Sequence, residues 1–149
     1  MKEPELLKLL GASPYLAELD EPALVFLIRF GKVRQYAEGD EITKQGTPSD
    51  SIHFILDGEG RVERQRGADA HRVVLAQLKP GDIVGEIGVM IDLPRSATVV
   101  ASKPTRTLEI DGPSFERSAR AFPILNRVLA RLLSERLRQT SERVDDLPH

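Results

Sequence analysis

Between Lys32 and Ile110 the chain is cut into short runs by a succession of turn signals. This texture limits the fold more than any other feature. Glu38-Gly39-Asp40, Gly46-Thr47-Pro48-Ser49-Asp50, Asp57-Gly58-Glu59-Gly60, Arg66-Gly67-Ala68-Asp69 and Pro80-Gly81-Asp82 all combine glycine, proline and short polar side chains. Glycine supplies positive φ, proline presets φ, and Asp or Ser side chains bond to nearby backbone, so each cluster favours a chain reversal. The spacing predicts a β-barrel or sandwich rather than βαβ units. Ile42, Ile52, Phe54, Leu56, Val73, Val74, Leu75, Leu78, Val99, Val100, Leu108 and Ile110 are the expected core of these strands. Gly60 sits inside a strand-like run, and the hairpin that holds it is expected to be bulged.

Both flanks carry helical patterns. Leu6, Leu7, Leu9 and Leu10 form a first apolar stripe, broken by Gly11, Ser13 and Pro14. Asp20 has the character of an N-cap, with Glu21 and Pro22 in the first turn and Gly31 at the end. Helix restarts around Asp111-Gly112-Pro113-Ser114-Phe115, and Pro123 opens a longer one through about Ser141. Leu125, Val128, Leu129, Leu132, Leu133 and Leu137 fall at helical spacing on it. The fold class is therefore α+β: an antiparallel β-roll, jelly-roll-like, with N-terminal helices and a C-terminal helical segment.

Composition narrows the function classes. A chain of 149 residues makes one compact domain with a real core. Its net charge of −2 argues against DNA as the direct partner, since such domains are usually basic. There is no cysteine, so disulfides and thiolate-ligated metals are excluded. His53, His71 and His149 are widely separated and form no ligand pattern, so each reads as an ordinary surface or strand histidine. That removes the metal centre a cupin-type enzyme would need. No apolar run approaches the ~20 residues that span a bilayer, and the N-terminus lacks an apolar signal region, so the cytoplasm is the expected compartment.

The stretch Val84 to Val99 carries the chemistry. It opens with Gly85-Glu86 and closes with Arg95 after Pro94, with a short apolar segment between them that suits one helical turn. Glycine lets backbone approach a ligand closely. Free N–H groups at a helix start favour an anion. An Arg fork holds two phosphate oxygens. A Glu offers acceptor-only oxygens suited to sugar hydroxyls. These parts describe a receptor for a small sugar phosphate.

The string Val84-Gly85-Glu86-Ile87-Gly88-Val89, four residues, then Pro94-Arg95-Ser96-Ala97-Thr98-Val99 closely resembles the phosphate-binding cassette of the cyclic nucleotide-binding domain. That family includes bacterial catabolite activator proteins, regulatory subunits of protein kinase A and cyclic-nucleotide-gated channels. Its pattern reads roughly Phe-Gly-Glu-Leu-Ala-Leu, four variable residues, then Pro-Arg-Ala/Ser-Ala-Thr-Val. Tyr36-Ala37-Glu38-Gly39-Asp40-Glu41-Ile42, Gln45-Gly46, Phe54-Ile55-Leu56-Asp57-Gly58 and Leu78-Lys79-Pro80-Gly81-Asp82 resemble the family's strands and turns in order. Val84 departs from the usual Phe, and Gly88 from the usual Ala.

The resemblance implies a single domain over 1–149, with helices over about 4–30 and C-terminal helices over about 113–142. The β-roll runs over about 32–110 and carries the cassette at 84–99. It implies Val84, Gly85, Glu86, Ile87, Gly88, Arg95, Ser96 and Ala97 as ligand-binding residues. Arg95 takes the cyclic phosphate. Glu86, assisted by the Gly85 backbone, accepts from the ribose 2′-hydroxyl. The N–H groups of Gly88 and Ser96 complete the cradle. The ligand is cAMP or cGMP, with cAMP favoured by the Arg-Ser-Ala string. No catalytic residue, metal or further cofactor is expected.

The output implied is a regulatory switch, passed to an unknown protein partner through the C-terminal helix. Leu133, Leu137, Thr140 and Val144 step by 4, 3 and 4, which would also suit a short homodimer seam. Arg127, Arg131, Arg136 and Arg138, interleaved with Glu135 and Glu142, read as a solvated helix face; the alternative is that one of them caps the bound base. No membrane or direct nucleic-acid contact is expected. The alternatives are a ligand-blind β-roll for protein association and the sensory half of a transcription regulator.

Overall fold

The computed structural model describes residues 1–48, 50–65, 67–68, 71–85, 95 and 97–145, with 136–145 described through the backbone only. Within them the strands are β1 (Lys32–Tyr36), β2 (Glu41–Thr43), β3 (Ser51–Asp57), β4 (Gly60–Gln65), β5 (Arg72–Leu78), β6 (Ile83–Val84), β7 (Thr98–Ala101) and β8 (Thr105–Asp111). They form two four-stranded antiparallel sheets, ordered β1-β8-β3-β6 and β2-β7-β4-β5. The helices are α1 (Glu3–Gly11), α2 (Glu21–Phe30), α3 (Gly112–Ala121) and α4 (Ile124–Asp145). This is the expected β-roll with flanking helices, its two sheets open rather than closed into a barrel.

Local chemistry explains the boundaries. Asp20 caps α2 by accepting from the Ala23 N–H at 3.2 Å, and Asp111 caps α3 by accepting from Ser114 N–H at 2.8 Å. Each bond satisfies a donor the helix cannot satisfy itself. Two Gly-Asp turns use one device: Asp40 accepts from Ala37 N–H, and Asp82 from Lys79 N–H, both at 2.8 Å. Gly31 ends α2 in extended backbone, and its reason is space. A Cβ there would lie 2.7 Å from Leu108 Cδ1.

The sheet β1-β8-β3-β6 divides the molecule. On one face Ile52, Phe54, Leu56, Ile83, Leu108 and Ile110 join a core shared with all four helices, through residues such as Leu6, Leu27, Phe115 and Leu132. Burying each such side chain contributes roughly 1.5–3 kcal/mol. Strand side chains alternate between faces, so Ser51, His53, Thr107 and Glu109 belong to the opposite face, inside the roll. A second cluster joins the two sheets there: Ile42, Leu78, Val84, Val99 and Ala101, with Tyr36 and Val62 against it. Phe26 ties the helices together by packing on Phe30 and edge-on to Phe122.

One expectation is corrected. Val73 and Val74 are not core residues; they are 38% and 48% exposed, and Leu75 is only half-buried. They lie on β5, an edge strand bonded to β4 alone. The hairpin of β4 and β5 is bulged as expected, while Gly60 itself pairs in register with Leu78 and Ala101. The bulge lies between Val62 and Glu63, where β5 carries Leu75 as an extra residue. A Cβ on Gly60 would lie 3.1 Å from Val100 O, so that glycine permits close strand approach. Of the two readings of His53, surface or strand, the strand one holds: it lies on β3 and is 2% exposed.

Among the described residues no helix is long and apolar enough to cross a membrane, and no group of His, Asp and Glu is placed to hold a metal.

Candidate functional site

Arg95 is clamped through its backbone by the loop after β2. Its N–H donates to Thr47 O at 2.8 Å, and its carbonyl accepts from Gly46 N–H at 2.9 Å. Gln45 N–H in turn donates to Thr98 Oγ1 at 3.0 Å, tying that loop to the start of β7. The Arg95 side chain therefore leaves a fixed point and turns inward. It is 9% exposed. Nη2 donates to Ser51 O at 2.9 Å and to Ser51 Oγ at 3.3 Å. Asp50 Oδ1 stands 4.0 Å from Nη2, with its carboxylate largely in water, so that pair is weak.

Gly85 follows β6 and adopts φ +90°, which suits glycine rather than an L side chain. A Cβ there would overlap Arg95 Nη1 and lie 2.7 Å from Ser51 O. The guanidinium thus rests against bare backbone at the point where the cassette begins. Val84, beside it, is buried in the inter-sheet cluster. Ala97 is half-buried at the entry to β7.

His53 sits behind Arg95. Its backbone pairs with Val84 on one side and with Glu109 on the other. Nε2 lies 3.4 Å from Ser51 Oγ and 3.7 Å from Glu109 Oε2, and Nδ1 shares a hydrogen bond with Thr107 Oγ1 at 3.2 Å. Burial, and then the Arg95 charge, lower its pKa from 6.5 to about 4. Glu109 also pairs with Arg34 at 3.6 Å. The Tyr36 ring lies 6.5 Å from the His53 ring; burial, and then the Glu109 charge, raise the pKa of its hydroxyl, keeping it neutral. Ser51, His53, Arg95 and Glu109 line a cavity of about 290 Å³ together with Lys44 and Glu41 from the β2 side.

The structure brings together Gly85, Arg95 and Val84 of the expected ligand set and places Ala97 beyond them. Glu86, Ile87, Gly88 and Ser96 lie outside the described residues. Sequence reasoning missed Ser51, His53, Asp50 and Glu109. A signal existed: Ser51-Ile52-His53-Phe54 alternates polar and apolar, the mark of a strand with one polar face. What it faces is not a local property. Of the basic run on α4, Arg127 and Arg131 are exposed, and Arg131 pairs with Glu18. That pair borders a separate open groove of about 810 Å³ between α4 and the α1–α2 connection.

Residues 33–121 match the family model of the cyclic nucleotide-binding domain. The chain belongs to that family. Its domains are regulatory rather than catalytic. Among curated relatives, the chain is 32% identical over 140 residues to Glutaminase 2 of Bradyrhizobium diazoefficiens, covering 91% of this chain and 22% of the glutaminase. Among solved structures, the catabolite activator protein of Thermus thermophilus superposes with a TM-score of 0.82 at 27% identity, over 89% of this chain and 62% of that one. The regulatory domain of Toxoplasma gondii PKA, solved with cAMP, gives a TM-score of 0.78 over 91% of this chain and 49% of that one. At 19% identity that likeness speaks to the fold alone. The chain thus spans about a fifth of its glutaminase relative and under two thirds of the activator protein.

Proposed function

We propose that this chain binds a cyclic nucleotide reversibly, cAMP in preference to cGMP, and works as a cytoplasmic regulatory module that catalyses nothing itself. The observation that carries this reading is the seating of a buried guanidinium against the bare backbone of Gly85. An arginine held out of water strengthens any charge-assisted bond it makes, and its planar fork matches two phosphate oxygens. The glycine, having no Cβ, leaves room for that guanidinium to lie against the backbone where the cassette begins. Glu86 then serves the ribose 2′-hydroxyl, and the N–H groups of Gly88 and Ser96 complete the anion cradle.

The ligand shifts an equilibrium only by its differential affinity for two states. In this reading the bound state has the cassette drawn toward the phosphate and the far part of α4 docked over the pocket or against a second copy. The near part of α4 acts as a fixed base, since Leu125, Val128, Leu129 and Leu132 belong to the main core. The likeness to a glutaminase over a fifth of its length supports a module that accompanies other domains.

Calorimetric titration with cAMP, cGMP and 2′-deoxy-cAMP tests the proposal. Cyclic AMP is expected to bind tightest and the deoxy analogue more weakly. Glu86→Gln should narrow the gap between cAMP and the deoxy analogue. Absence of binding to every nucleotide would leave the ligand-blind association module.

A further inference from the structure

The arginine assigned to the phosphate has a titratable neighbour whose role the nucleotide reading leaves open. His53 lies across the strand pair from Val84, the residue that precedes Gly85. Ser51 Oγ stands between the guanidinium and the imidazole, 3.3 Å from Arg95 Nη2 and 3.4 Å from His53 Nε2. Among the described residues, the groups facing the imidazole can be named element by element. The cassette end contributes Arg95, the residue just before β3 is Asp50, and β8 contributes Glu109 and the Thr107 hydroxyl. From β1 come Arg34 and the Tyr36 ring, while β6 contributes only the apolar Val84. Glu41 and Lys44 line the same cavity from the β2 side.

In the empty site a buried imidazole beside a guanidinium cannot easily take a second positive charge. A cyclic phosphate seated on Arg95 brings a negative charge to the same place. The arginine's opposition to a charged imidazole is then offset; burial and Arg34 still oppose that charge, while Asp50 and Glu109 favour it. Ser51 Oγ has acceptor capacity for both N–H donors.

We propose that His53 is a conditional second cation of the phosphate site, neutral beside Arg95 when the site is empty and protonated when a cyclic phosphate is held, so that nucleotide binding takes up a proton. This rests on the nucleotide-binding reading and adds a residue to it. Its consequence is an affinity that rises as pH falls. Because burial still opposes the charge, the recovery is partial: affinity for cAMP should rise roughly two- to fourfold between about pH 7.5 and 5.5, with about 0.5–0.7 proton taken up at the lower pH.

Calorimetry with cAMP at both pH values, in buffers of different ionisation enthalpy, counts that proton. The wild type should show the uptake and the slope, and His53→Gln should lose both, whatever its affinity. NMR titration of the His53 imidazole with and without cAMP needs no variant and should show a higher pKa in the complex. Equal pH slopes in wild type and His53→Gln, or an imidazole that titrates alike in both states, would overturn the proposal. No cAMP binding by the wild type at pH 7.5 would instead overturn the nucleotide-binding reading beneath it.

Discussion

Gly85 and Gly39 offer a matched pair for asking what the cassette glycine is for. Their φ angles are +90° and +89°. A Cβ on Gly39 would meet nothing within 4 Å, whereas one on Gly85 would overlap Arg95 Nη1 and lie 2.7 Å from Ser51 O. Gly39→Ala therefore measures backbone strain alone, roughly 1–3 kcal/mol. Gly85→Ala adds a collision with a carbonyl fixed in β3, and forcing atoms into an occupied space costs roughly another 1–3 kcal/mol. In urea, with a slope of about 2 kcal/mol per M for a chain of this size, an added 2 kcal/mol lowers the midpoint by about 1 M relative to Gly39→Ala. The arginine is the softer of the two obstacles and should be displaced. Cyclic AMP affinity should then fall in Gly85→Ala and stay at the wild-type level in Gly39→Ala. Equal midpoints for the two variants would show that Gly85 serves only its turn. Wild-type affinity in Gly85→Ala would refute the placement of Arg95 as the phosphate ligand.

Arg95→Ala should weaken cAMP binding by roughly 10- to 1,000-fold, and Arg95→Lys should restore only part of it because a point charge lacks the fork; calorimetry reads both. Hydrogen exchange should slow on nucleotide binding in both 85–97 and the helix beyond Leu132. Removing the residues after Leu132 should weaken binding and leave the roll folded, because Leu132 closes the described part of the main core. Protection confined to the cassette, with full affinity after truncation, would make α4 a passive strut. Acid should destabilise the empty protein through His53. Its pKa falls from 6.5 to about 4 on folding, so the unfolded chain binds more protons between those values, and stability present above pH 6.5 is lost as pH drops toward 4. The loss is up to ~3 kcal/mol, and urea midpoints of wild type and His53→Gln should converge in their pH dependence only if another group is responsible.

Much of this molecule was decided within a few residues of chain. The Gly-Asp turns at 38–40 and 80–82 close on their own aspartates, and the helices at Glu21 and Gly112 start where Asp20 and Asp111 offer a cap three residues upstream of a donor. Such bonds span three residues, so their partners are visible in the string itself. The candidate ligand string is local too, which is why Gly85 and Arg95 could be proposed from their resemblance to a family pattern. Other features depended on partners far away in sequence. Arg95 meets Ser51 across 44 residues, and His53 meets Thr107 across 54. Nothing near His53 in the chain says that it is buried, because its burial comes from β8, β6 and the cassette end closing over it. Val73 and Val74 make the opposite point. Their β-branched side chains read as core, yet β5 lies at a sheet edge, and whether an apolar strand is covered depends on its neighbours in the sheet. Strand order and strand facing are set by the whole packed arrangement, and they determine which polar side chain shares a cavity with the arginine.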